Sequence, residues 1–128
     1  MMAVDASALL AIILEEPEAE DFRRVLERGP SLISPVNYWE VLVRAYREAN
    51  EPGANRALNI VAALGVEVAE IAAFDAHLAY AAFARFGKGV GGPLNLADCF
   101  AYALAEREGD GLLFKGDDFP RTDVKSAL

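Results

Sequence analysis

The sequence predicts an α/β fold with a short, mostly parallel central sheet between helical layers. Three observations carry this. Short apolar runs alternate with amphipathic helical stretches, the pattern of βαβ units. The apolar runs are continuous rather than alternating, as strands buried on both faces require. The length, 128 residues, matches one domain (1–128), and no internal repeat or low-complexity tract interrupts it.

Met2-Ala3-Val4 opens the chain as a buried strand. Ala6 to Glu15 reads as a helix, because Leu9, Leu10, Ile13 and Leu14 fall on one face, and Pro17 stops it. A second helix spans about Glu18 to Arg28, with Phe22, Val25 and Leu26 inward, and Gly29-Pro30 ends it. Leu32-Ile33-Ser34 is the second strand. Asn37 to Ala49 forms a third helix and Ala54 to Leu64 a fourth, separated by a turn at Asn50-Glu51-Pro52-Gly53. Val66-Glu67-Val68 is the third strand. Phe74 to Phe86 is a fifth helix, with Asp75 suited to its first turn. A glycine-rich connector, Gly87 to Pro93, leads to a sixth helix, Leu96 to Glu108, capped by Asn95 and ended by Gly109. Leu112-Leu113-Phe114 is the fourth strand, and Thr122-Asp123-Val124 is expected as a small edge strand.

Composition narrows the function. Apolar residues make up 54% and charged residues 25%, which excludes a disordered chain. A single cysteine, Cys99, excludes a disulfide scaffold. No apolar run approaches the roughly 20 residues of a membrane span. No basic region precedes the apolar opening, which argues against a secretory leader and for a cytoplasmic protein. Mean hydropathy is +0.19, so part of the surface is expected to be covered by a partner. The net charge of −8 disfavours nucleic acid, unless gathered carboxylates hold a cation that inverts their local sign.

The acids are placed to do this. Asp5 follows the first strand, Glu40 lies one turn into the helix after the second, and Asp117 and Asp118 follow the fourth. Asp98 stands near the start of the helix that returns to the fourth strand. Right-handed crossovers put the ends of parallel strands on one edge, where ligands bind. Converging carboxylates repel, and a divalent cation relieves them. An all-oxygen donor set suits Mg²⁺ or Mn²⁺, and such a site activates water against a phosphodiester.

Four pieces of the chain carry a resemblance. They are Val4-Asp5-Ala6-Ser7-Ala8-Leu9, Ile33-Ser34 through Glu40, Leu94-Asn95-Leu96-Ala97-Asp98-Cys99-Phe100-Ala101-Tyr102-Ala103-Leu104-Ala105, and Leu112 through Phe119. Together they resemble PIN-domain ribonucleases of the VapC type, the toxins of bacterial toxin–antitoxin pairs. The resemblance implies a three-layer α/β/α PIN-like domain and a Mg²⁺- or Mn²⁺-dependent endoribonuclease, often acting on tRNA. It implies Asp5 and Asp98 as the main metal ligands and Glu40 as the third acid. The fourth acid would be Asp117 or Asp118. Asp117 is favoured, because Asp118 precedes Phe119 and is suited to capping the turn. Ser7 would hydrogen-bond behind the ligands. A homodimer and a cognate VapB-type antitoxin are also implied.

Other residues have plainer readings. Asn37 and Asn95 read as helix caps, His77 as structural or solvent-facing, and Cys99 as a core thiol. Trp39 reads as core or dimer contact, with base stacking as the sharper alternative. Lys88, Arg85 and Lys115 are candidate RNA contacts, as are Arg44, Arg47, Arg121 and Lys125; a solvated surface is the default for each. Two rivals fail on positions. A haloacid-dehalogenase-like phosphatase needs a second Asp where Ser7 stands, and a receiver domain needs an Asp after the third strand. A catalytically silent binding module is the different-class alternative.

Overall fold

A computed structural model describes residues 1–128. The strands are β1 (Met2–Val4), β2 (Ser31–Ile33), β3 (Val66–Val68) and β4 (Leu112–Leu113). They form one sheet in the order β3-β2-β1-β4, with every pairing parallel. The helices are α1 (Ala6–Ile13), α2 (Ala19–Leu26), α3 (Pro35–Ala63), α4 (Ala73–Phe86) and α5 (Leu96–Glu108).

Strand side chains alternate between the two faces of the sheet. Val4, Ile33 and Leu113 point to one core with Leu9, Ile12, Phe22, Val25, Val41 and Val61 of α1, α2 and α3. Ala3, Leu32 and Leu112 point to the other with Ala79, Ala82, Cys99, Tyr102 and Leu104 of α4 and α5. This is the expected three-layer sandwich.

The predicted fourth-helix boundary is softer than the turn at 50–53 implies. Helical geometry fails only at Ala49 and Asn50, whose φ is +55°. Pro52 then sits in the first turn of the new helical segment, where its missing N–H costs nothing. The segment folds back closely: a Cβ on Gly53 would lie 2.5 Å from the Ala45 carbonyl oxygen. At the other end, the expected edge strand Thr122–Val124 does not form. A 3₁₀ turn over Phe119–Arg121 precedes those residues, which follow it as a bend, and the sheet contact is a single parallel bridge from Leu112 to Ser126. Proline at the second position of that turn favours the tight helix over an extended edge.

Candidate active site

Asp5 leaves β1 and caps α1, its Oδ2 accepting from Ser7 N at 3.0 Å and Ser7 Oγ at 2.5 Å. Its backbone N–H donates to the Leu113 carbonyl of β4 at 2.9 Å, and the residue is 5% exposed. Ser7 Oγ in turn accepts from Lys115 N at 2.9 Å, tying the β1–α1 turn to the loop after β4.

Glu40 lies one turn inside α3, with Oε1 accepting from Asn37 Nδ2 at 3.0 Å. Asn37 is not the cap expected from the sequence. Ser34 is the cap, accepting from Val36 N, with Pro35 at the first helical position. Asn37 is fully buried, and its Nδ2 donates both to Glu40 and to the Ala97 carbonyl at 3.0 Å. It therefore joins α3 to the start of α5. A polar amide three residues before an acid is the only sequence signal for this role, and it is also the pattern of a cap.

Asn95 does cap α5 as predicted. Its Oδ1 accepts from Asp98 N at 2.9 Å, and Asp98 Oδ2 accepts from Asn95 N at 3.0 Å, a reciprocal capping box. This fixes the Asp98 carboxylate at the helix start.

The three acids feel one another. Burial is the first cause raising the Asp5 carboxyl, and Asp118 adds repulsion. Glu40 is raised by burial, then by the charges of Asp5 and Asp98. Asp98 is pushed up to about 6, by burial first and then by Asp5 and Asp118; Lys88 partly opposes this. The fourth charge acting on both Asp5 and Asp98 is thus Asp118 rather than the favoured Asp117. The reason is local. Gly116 turns the chain at φ +108°, and Asp118 then stands at the head of the 3₁₀ turn without making a side-chain cap bond.

The basic candidates divide. Lys88 acts on Asp98. Arg85 does not reach the acids: its Nη2 pairs with Asp123 at 2.8 Å, its Nη1 donates to Tyr102, and its guanidinium lies 4.7 Å from the Phe86 ring centroid. Lys115 Nζ is held between Glu16 and Glu18 at 3.1 Å from each. Trp39, expected in the core or at a dimer contact, is 63% exposed in this chain. Cys99 is buried, as read from the sequence.

The donor set fits a hydrated hard cation. Hydrogen bonds engage one oxygen each of Asp5, Glu40 and Asp98, which orients the carboxylates. No three acidic, histidine or cysteine side chains stand close enough together to hold an ion jointly, so an ion here would take one or two carboxylates directly and reach the others through water. Mg²⁺ suits such an open arrangement, because it keeps several waters and takes only one or two carboxylates.

Comparisons with known proteins bear on the family and the fold. A family model described as the PIN domain matches residues 2–125. Ribonuclease VapC42 of Mycobacterium tuberculosis is 38% identical over 130 residues, spanning 98% of each chain. Ribonuclease VapC30 of the same organism is 37% identical over 125 residues, spanning 96% of this chain and 95% of that relative. The crystal structure of Mycobacterium tuberculosis VapC20, described as a sarcin-ricin loop cleaving toxin, matches with a TM-score of 0.78. It covers 98% of this chain and 97% of that chain at 16% identity, so the likeness is one of fold.

Proposed function

This chain belongs to the PIN-domain family, and on that premise we propose that it is an endoribonuclease toxin of the VapC type, dependent on Mg²⁺ or Mn²⁺. One observation carries the reading: Asp5, Glu40 and Asp98 come from three separate elements and interact electrostatically at the strand ends of one sheet. Such mutual repulsion is a cost unless a cation answers it.

Asp5 and Asp98 would hold the ion, with Glu40 bound directly or through water and Asp118 as the fourth acid. When bound, the ion supplies a more acidic water and offsets charge on the phosphoryl group. Water oxygen bonds to phosphorus, one P–O ester bond breaks, and the departing oxygen takes a proton. The protein's part is placement. Ser7 orients Asp5, Asn37 orients Glu40, and the α5 capping box orients Asp98. No nucleophilic side chain is required.

The test is cleavage of RNA by purified protein with Mg²⁺, with Mn²⁺ and with EDTA, alongside Asp5→Ala and Asp98→Ala. Loss of cleavage in EDTA and in both variants is expected. Cleavage that survives both substitutions removes the metal assignment.

The same reading includes a VapB-type antitoxin, a cytoplasmic location and residues 1–128 acting as one domain. No helix is long and apolar enough to cross a membrane. It also includes a homodimer. Exposed Tyr80, Phe83 and Leu96 line an apolar hollow of about 310 Å³ between α4 and α5. A continuous apolar surface of this kind marks a contact site. Sedimentation at micromolar concentration should give twice the chain mass, and charged substitutions at Tyr80 and Leu96 should halve it.

A further inference from the structure

A groove of about 260 Å³ opens beside the acids, lined by Leu10, Trp39, Glu40, Val43, Arg44 and Arg47. Glu40 belongs both to this groove and to the acid cluster, so the two are continuous. Trp39, Val43 and Arg47 follow one another at four-residue intervals along α3, which places them on one helix face. Arg47 stands about 12 Å along the axis from Trp39, at 1.5 Å per residue.

The side chains here are unlike those of an ordinary solvated face. Trp39 is the chain's only tryptophan, and it is 63% exposed although Asn37 and Val41, two residues to either side on the same helix, are fully buried. Arg44 shares Glu48 through a 3.0 Å ion pair, which leaves it half-exposed. Arg47 is exposed and makes no ion pair. In a chain of net charge −8, two arginines beside a flat aromatic ring form a local exception. The hollow extends past Leu10 and Arg44 into a second one of about 340 Å³, which reaches Ser7, the partner of Asp5. The path thus runs from Glu40 to the neighbourhood of Asp5 and suits an extended polymer rather than a compact ligand.

We propose that this groove holds the substrate strand next to the scissile bond, with one unpaired base stacked on Trp39 and the adjoining phosphate met by Arg47 and Arg44. The inference rests on the ribonuclease reading and names where its substrate lies. Aromatic stacking accepts any base, and arginine complements both phosphate and ring face, so the groove positions a single strand without selecting its sequence. Double-stranded RNA does not fit, because its bases are not free to stack.

Because Trp39 is unique, its emission reports on this groove alone. The probe is a mixed-sequence single-stranded oligoribonucleotide added to Asp98→Asn protein, with binding followed independently by anisotropy of a label on the RNA. Quenching of Trp39 emission is expected to track binding, and the equivalent duplex is expected to give none. In the otherwise native enzyme, Trp39→Ala should raise KM about tenfold with little change in kcat, the scale of one stacked base. Trp39→Phe should recover most of that loss, and Arg47→Ala should raise KM and flatten its salt dependence. RNA that is cleaved and bound with Trp39 emission unchanged, and KM unmoved in Trp39→Ala, overturns the groove while leaving the activity in place. Emission that responds to an antitoxin polypeptide but not to RNA overturns it equally and assigns the groove to that partner. If native protein with Mg²⁺ neither binds nor cleaves any RNA, the activity itself is refuted and the groove with it.

Discussion

Two aspartates in this molecule are almost equally buried, and they are held in opposite ways. Asp75, at the start of α4, is 6% exposed; its Oδ2 accepts from Ala72 N, and its Oδ1 meets Arg107 Nη1 at 2.6 Å. Asp5, at 5% exposure, is bonded by the Ser7 hydroxyl and by local backbone amides, and the charges around it are those of other acids. A buried carboxylate with its own cation is a structural joint, here between α4 and α5. A buried carboxylate without one is costly to keep ionised. Burial alone therefore does not distinguish the two roles; the partner does.

Neutralising each residue separates the cases. Asp5→Asn should lower RNA cleavage by about a thousandfold, the upper scale of removing one preorganised electrostatic group. Asp75→Asn should leave cleavage per folded molecule near native, as measured by initial rates on the same RNA. Equal loss in both variants would erase the contrast.

Stability should move in the reverse sense. Asp75→Asn takes from partly buried Arg107 its shorter ion pair and leaves it only Glu108, and breaking such a pair costs about 3 kcal/mol in urea denaturation. Binding of Mg²⁺ should stabilise the native chain by about 2.7 kcal/mol at a hundredfold excess over its dissociation constant. The same addition should do little for Asp5→Asn. Without metal, Asp5→Asn should be more stable than the native chain by about 1 kcal/mol, or about 4 °C in melting midpoint for a chain of this size.

The smallest effect is a slope. Asp98 stands at about 6 in the folded state against an ordinary 3.8, so the folded chain binds that proton more tightly than the unfolded one. Stability of the metal-free protein should then fall as pH rises from about 4 to about 6. Thermal melts in EDTA across that window should show the decline. Asp98→Asn should shallow it, and Mg²⁺ should oppose it at the upper end.

The sheet was legible because its strands are apolar runs too short to be anything else in a βα alternation. Ala3-Val4, Leu32-Ile33 and Leu112-Leu113 each send one residue into each core. Topology then carried Asp5, Glu40 and Asp98 to one edge with no side-chain information. What stayed hidden depends on single backbone torsions or on partners far along the chain. The charge that Asp5 and Asp98 feel from this loop comes from Asp118, which follows Gly116 at φ +108° and heads a 3₁₀ turn. The charge of Lys115 is claimed by Glu16 and Glu18, and that of Arg85 by Asp123. Trp39 resembles a core residue in helical spacing, yet the axis of α3 turns it outward. Asn37 resembles a cap until Ser34 is seen to occupy that position.

The hydroxyl of Ser7 spans a sequence separation of 108 residues to reach the amide of Lys115. During synthesis the early turn carrying Asp5 thus waits, half built, for almost everything after it. A nascent chain paused on the ribosome before β4 has neither that latch nor Asp118.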